Sequence, residues 1–199
     1  MKILAATKNK KKLEEIKRIL EPMGIEVLSE LDLKNELKEV EETGETFEEN
    51  AYLKAKAGLD QTGLITFADD SGLCVDYLGG KPGVYSARYS GTHGNEQKNI
   101  EKLLSELKGV KKDDRTAKFV CSIVCLFPDG KMVTAKGECK GYIAFEPAGN
   151  GGFGYDPVFI SELGCFAEIG SEQKDLISHR GKALKIFEEK IKNIISEEK

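Results

Sequence analysis

The chain of 199 residues has no tryptophan, only two histidines, and no apolar run longer than a strand. Without a long apolar run, nothing in it is expected to span a membrane. Two histidines, His93 and His179, give a zinc site little to work with. The five cysteines (Cys74, Cys121, Cys125, Cys139, Cys165) are odd in number and scattered, with no Cys-x-x-Cys pair. Several sit in apolar strand patterns as small hydrophobes, and a reduced, cytoplasmic setting is the simplest account of them. An excess of positive charge is missing too. Lys and Arg number 30 against 34 Asp and Glu, for a net charge of −4, which rules out a globally basic nucleic-acid binder. The opening Met1-Lys2-Ile3-Leu4-Ala5-Ala6-Thr7 is too short in its apolar part for a signal peptide and reads as a first strand.

The length suits one large domain, 1–199, of two closely joined lobes. Residues 3–6 read as a strand, Leu13, Ile16, Ile19 and Leu20 recur at helical spacing, and 25–28 read as a second strand. The polar segment 32–42 reads as a loop. Thr46-Phe47-Glu48-Glu49 is a capping box that opens a helix running to about Asp60 and stopping near Gly63. A helical pattern follows over 96–107. Two long strands, 117–127 and 132–143, flank the turn Pro128-Asp129-Gly130-Lys131. A last helix starts after Ser178 and places Leu184, Phe187, Ile191 and Ile194 or Ile195 on one face. A βαβ opening combined with a long hairpin predicts an α/β protein with a mixed central sheet.

Five segments carry chemistry. In Phe67-Ala68-Asp69-Asp70-Ser71-Gly72-Leu73 two acids follow an apolar run, 64–68, that reads as a buried strand. They are therefore expected at a strand end, where α/β proteins open their clefts. Adjacent like charges repel, a divalent cation removes that objection, and hard oxygen ligands suit Mg²⁺. An Asx-type turn closing the strand is the competing reading. Thr7-Lys8-Asn9-Lys10-Lys11-Lys12 follows the first strand and opens a helix, where lysines oppose the dipole and suit a bound anion, although the glycines of a Walker loop are missing. Glu41 and Glu42 lie ahead of the Thr46 cap, where one can turn towards a metal. Gly149-Asn150-Gly151-Gly152-Phe153-Gly154-Tyr155-Asp156-Pro157 combines flexible backbone with two flat faces for a base. Lys174 and Ser178-His179-Arg180-Gly181 put cations at a helix start, a mismatch with the dipole that suggests they point at an acceptor.

Together these segments resemble the inosine triphosphate pyrophosphatase family. The likeness runs from Thr7, Asn9 and Lys12 through Glu-Glu-Thr-Gly-x-Thr-Phe-x-Glu-Asn-Ala (41 to 51), Ala-Asp-Asp-Ser-Gly-Leu (68 to 73) and Pro-Gly-x-Tyr-Ser-Ala-Arg-Tyr (82 to 89). It continues through Gly-Gly-Phe-Gly-Tyr-Asp-Pro (151 to 157) to Ser-His-Arg-Gly (178 to 181), and so covers the whole chain. The resemblance implies a mixed-sheet α/β fold of two lobes around an elongated nucleotide cleft, usually a homodimer. It also implies Mg²⁺-dependent cleavage of non-standard purine nucleoside triphosphates (ITP, dITP, XTP) to the monophosphate and pyrophosphate, with no nucleic acid or membrane partner.

Carried over by position, Thr7, Asn9 and Lys12 hold the phosphates, while Lys8, Lys10 and Lys11 raise the local potential. Glu42 and Asp70 ligate Mg²⁺, Asp70 is the proton acceptor with Asp69 assisting, and Ser71 touches substrate. Phe153, Gly154, Tyr155, Asp156, Lys174, His179 and Arg180 form the base end. Some relatives carry a tryptophan in the aromatic loop, where Tyr155 stands here. A pyrophosphatase of other base preference and a nucleotide- or RNA-binding module without chemistry are the alternatives.

Overall fold

Alternating strand and helix periods in the first quarter of the chain build a β-α-β unit in the computed structural model. The structure describes residues 1–33, 37–38, 40–92 and 94–197, with side chains through residue 194. His93, part of the expected loop 32–42 and the side chain of Ile195 lie outside the described residues. Strand β1 (Lys2–Ala5) leads into α1 (Lys10–Leu20) and returns as β2 (Glu26–Leu28). β1 pairs in parallel with β2, Ile3 opposite Val27, and with β3 (Thr66–Val75), Ala5 opposite Phe67. Asn9 starts α1, its Oδ1 accepting from the Lys12 N–H at 3.1 Å.

Helix α2 (Phe47–Thr62) begins with the expected capping box, in which Thr46 Oγ1 accepts from Glu49 N and Glu49 Oε2 accepts from Thr46 N. Then come α3 (Glu96–Glu106), the long pair β4 (Thr116–Leu126) and β5 (Met132–Ile143), and two short strands, β6 (Phe159–Ser161) and β7 (Gly164–Cys165). The turn between β4 and β5 closes through Phe127 N to Lys131 O at 2.9 Å. Helices α4 (Ser171–Ile177) and α5 (His179–Glu197) end the chain. The sheet has seven strands in the order β2-β1-β3-β4-β5-β6-β7, parallel at β1 and antiparallel from β5 to β7, so the mixed α/β architecture is borne out. No helix among the described residues is long and apolar enough to cross a membrane.

One expectation needs correction. Asp69 and Asp70 do not sit at a strand end; β3 runs through them to Val75, because neighbouring cations neutralise both charges and the ladder need not break. The last helix starts after Ser178 as expected, and the short α4 precedes it, separated from α5 by the extended backbone of Ser178.

The chain forms two compact units, one of residues 1–70, 121–137 and 180–199, the other of 71–120 and 138–179. Each has its own core. In the first unit Phe67, Ile16, Leu184 and Phe187 are 0–1% exposed, and the Phe67 and Phe187 rings meet edge to face at 5.2 Å. In the second, Phe119 and Phe166 lie parallel with the Phe159 ring tilted against both, beside Leu73 and Leu103. Truncating an aromatic side chain buried this fully loses its transfer free energy and leaves a cavity. Phe187→Ala is expected to destabilise the protein by about 3–5 kcal/mol, read as a lower urea midpoint; a loss under about 1 kcal/mol would show that the site collapses to fill the void.

Candidate active site

The unit of residues 1–70, 121–137 and 180–199 assembles an ionic cluster around β3. Asp69 is 2% exposed, and its Oδ2 accepts from Arg180 Nη2 at 3.0 Å, from Arg180 Nε at 3.2 Å and from the Cys121 thiol at 3.9 Å. Lys12 Nζ lies 3.2 Å from the same oxygen. Arg180 Nη1 in turn donates to Glu15 Oε2 at 2.5 Å. β3, α1 and α5 thus each contribute charge to one buried knot. Burial alone would push the Asp69 carboxyl up. The Lys12, Arg180 and Lys54 charges override it and hold Asp69 well below the usual carboxylate range. Asp69 Oδ1 is buried, with no hydrogen-bond partner among the described residues.

Asp70 points into different company. Its Oδ1 accepts from Lys54 Nζ at 2.9 Å, and Lys54 also lies 3.1 Å from Glu42 Oε1. Asn50, fully buried on α2, reaches Asp70 Oδ2 from 3.5 Å with its Nδ2 and accepts the Gly44 N–H at 2.8 Å. A Cβ at Gly44 would stand 2.7 Å from Asn50 Oδ1, so only glycine lets the loop that carries Glu42 approach α2 this closely. Burial raises the Asp70 pKa, and the Glu42 charge adds to the rise, while Lys54 and Lys12 pull against it. Adjacent carboxylates are therefore driven apart, Asp69 firmly ionised and Asp70 readier to hold a proton.

The other unit holds a second constellation. Asp156 is 2% exposed and its Oδ2 accepts from Lys174 Nζ at 2.5 Å and from Phe153 N at 2.8 Å. The Lys174 ammonium also lies 5.0 Å from the Phe153 ring centre. A Cβ at Gly152, whose φ is +69°, would collide with the Asp156 carboxylate. That glycine therefore serves loop closure. His179 stacks on Phe119 at 4.7 Å with an interplanar angle of 12°. Tyr155 is 4% exposed and donates its hydroxyl to Ser86 O at 2.9 Å, so its ring is a core element, whereas Phe153 is half-buried.

Of the expected residues, the fold gathers Lys12, Glu42, Asp69, Asp70 and Arg180 in one unit and Phe153, Asp156, Lys174 and His179 in the other. Ser71 is half-buried in β3, next to Asp70. Thr7 accepts the Asn9 N–H at 3.2 Å, and Lys8, Lys10 and Lys11 are exposed. Arg180, expected at the base end, instead turns its guanidinium to Asp69 and Glu15. Sequence reasoning missed Glu15, Asn50 and Lys54. The signal existed for two of them: Asn50 and Lys54 are one helical turn apart on the α2 face that carries Ala51, Ala55 and Gly58, where polar side chains have no use unless they meet a partner.

The Ham1 family model matches residues 3–190. The chain belongs to the Ham1 family. The resemblance read from the motifs is borne out. A Bacillus licheniformis protein named dITP/XTP pyrophosphatase is 51% identical over 185 residues, 92% of this chain and 94% of its own length. One of the same name from Geobacter sulfurreducens is 50% identical over 190 residues, 94% of this chain and 95% of its own. The solved structure of the Staphylococcus aureus Ham1 protein superposes with a TM-score of 0.86 at 39% identity, covering 97% of this chain and 99% of that one.

The Asp69 knot has a measurable signature. A carboxyl held below its unfolded value of 3.8 contributes stability that is complete above that value and is lost as pH falls through the folded one. Asp69→Ala is expected to cost about 3–5 kcal/mol at pH 7, as removing one member of a buried ionic group does. The gap to the native protein should shrink by about 1 kcal/mol by pH 3. A gap independent of pH in urea titrations would assign the loss to packing alone.

Proposed function

We propose that the chain is a nucleoside triphosphate pyrophosphatase that hydrolyses non-standard purine triphosphates such as dITP and XTP to the monophosphate and pyrophosphate. The observation that carries this is the buried pair Asp69 and Asp70, neighbours in sequence with separate cation partners and carboxyl pKa values pushed in opposite directions, Asp70 sharing Lys54 with Glu42. A binding module has no use for so costly an arrangement; a site that must orient and deprotonate water has. The names of the relatives agree with this reading.

In our reading Lys12 and the α1 start attract the triphosphate, whose negative charge suits both the lysine and the positive end of the helix dipole. Asp70 takes the proton from water aimed at the α-phosphorus, and Asp69 with Arg180 and Glu15 keeps the neighbouring charge fixed so that Asp70 remains the basic member. Lys54 neutralises Asp70 and Glu42 when no substrate is present.

The donor set also fits Mg²⁺. Asp70 and Glu42 offer hard oxygens, brought together by the Lys54 ammonium that both of them meet. Among the described residues no group of three His, Cys, Asp or Glu could hold a metal by itself. When bound there, Mg²⁺ supplies positive charge for the phosphate oxygens.

For the base, the 6-oxo edge of hypoxanthine or xanthine is an acceptor where adenine presents an amino donor. We assign its recognition to Lys174, His179 and the backbone N–H groups around Phe153 and Gly154, with the half-buried Phe153 ring as the stacking face and Arg180 serving the carboxylates. An adenine amino group against those donors goes unmet, a cost of roughly 1–3 kcal/mol. A cytoplasmic homodimer completes the proposal; a monomer mass in light scattering would count against it.

Pyrophosphate release with Mg²⁺ from equal concentrations of ITP, XTP, dITP, ATP, GTP and dTTP is the test. Strong release from the first three and little from the rest is expected. Flat or pyrimidine-led release overturns the base assignment, and no release favours a binding module. Asp70→Asn should lower turnover by a factor of about 10²–10⁴ while leaving the urea midpoint close to native; near-native turnover would remove Asp70 from its role.

A further inference from the structure

The segment of residues 82–89 is part of the family likeness, yet nothing in the catalytic reading uses it. Its helical turn, Gly83–Arg88, is a hydrogen-bond hub. Ser86 is 7% exposed; its hydroxyl accepts from Leu73 N at 2.9 Å and donates to Gly83 O at 2.6 Å. Its carbonyl accepts from the Tyr155 hydroxyl at 2.9 Å and from Asn99 Nδ2 at 3.3 Å. Asn99, 3% exposed on α3, also donates to Ala87 O at 3.3 Å and accepts from Ser90 N at 2.7 Å. One amide side chain thus holds both ends of the stretch from Ser86 to Ser90.

Tyr155 is the other end of this network. A phenylalanine would fill the same apolar volume, so the hydroxyl is there for its partner and not for packing. The ring is also fixed through its backbone, since Tyr155 O accepts from Val158 N at 3.0 Å, and its neighbours Asp156 and Phe153 are joined by Asp156 N to Phe153 O at 3.2 Å. The residues on either side of this anchored ring are the ones assigned above to the base. A loop with glycines at 151, 152 and 154 has little stiffness of its own, and a fixed ring in its middle supplies it.

We propose that Asn99, Ser86 and Tyr155 are positioning residues that hold the loop from Phe153 to Asp156 in register for a purine base, so that hydrogen bonds made away from the substrate set base selectivity. Tyr155 in this role touches no substrate. The inference rests on the pyrophosphatase reading. It adds to that reading that selectivity depends on the 82–89 segment, and that the register of the loop is a separate quantity from its stability.

The test compares the native protein with Tyr155→Phe, Asn99→Ala and the double variant, measuring pyrophosphate release from dITP and dATP. Tyr155→Phe, which loses one neutral hydrogen bond, is expected to raise KM for dITP about 3- to 10-fold, and Asn99→Ala, which loses three, at least as much. The dITP-to-dATP ratio of kcat/KM should fall by a similar factor, with kcat for dITP reduced less than about threefold. Because both side chains meet at the Ser86 carbonyl and Asn99 also holds Ala87 O and Ser90 N, the double variant should be little worse than Asn99→Ala alone. Ser161→Ala is the control: it loses a hydroxyl bond to Gly164 O in the β6–β7 hairpin, and should lower Tm without moving KM. If Tyr155→Phe and Asn99→Ala lower Tm but leave KM and the ratio unmoved, the network only stabilises and the proposal is overturned. Should Asn99→Ala fail to fold, Tyr155→Phe decides alone, since it removes a single oxygen. A native protein that releases pyrophosphate from neither substrate overturns the pyrophosphatase reading and this inference with it, a result distinct from an unmoved KM.

Discussion

Asp69 is a charge in the core of its unit, and the elements around it are arranged to make that charge tolerable. Removing a carboxylate from water is expensive, and it persists there only when cations and hydrogen bonds surround it. Lys12 brings the first turn of α1, Arg180 brings the first turn of α5, and Glu15 balances the excess positive charge from the same helix as Lys12. The order of folding constraints runs outward from this point. Two helix starts that oppose their own dipoles with cations make sense because those cations have a buried destination.

The same arrangement explains why β3 continues where its sequence suggests a stop. Two adjacent acids in a strand point to opposite faces, so each meets a separate set of partners. One face offers Lys12 and Arg180, the other Lys54, Asn50 and Glu42. Alternation along a strand thereby converts a pair of like residues into two chemically unlike ones. In our reading that difference is the catalytic device: a fixed charge beside a group free to exchange its proton.

Local signals were legible in the sequence wherever the cause was local. The Thr46 capping box, the Pro128–Lys131 turn and the helical spacing of Leu184, Phe187 and Ile191 depend on neighbours a few residues away, and each appears as read. The end of the β3 strand was misread because the partners that let it continue lie on α1, α2 and α5. Glu15 carries no local signal for the same reason, since its partner Arg180 lies on α5. Tyr155 shows the converse: an aromatic in a glycine-rich loop suggests an open stacking face, and only the carbonyl of Ser86, 69 positions away, reveals it as an internal anchor.

The Cys121 thiol against Asp69 has a consequence for the chemistry the protein can survive. Burial and the neighbouring carboxylate push its pKa up to about 12, and burial alone pushes Cys125 up as well. Peroxides and electrophiles attack the thiolate, a species these two residues scarcely populate near neutrality and keep from solvent in any case. The Asp69 carboxylate thus has at its side a buried thiol held in its protonated, poorly nucleophilic form.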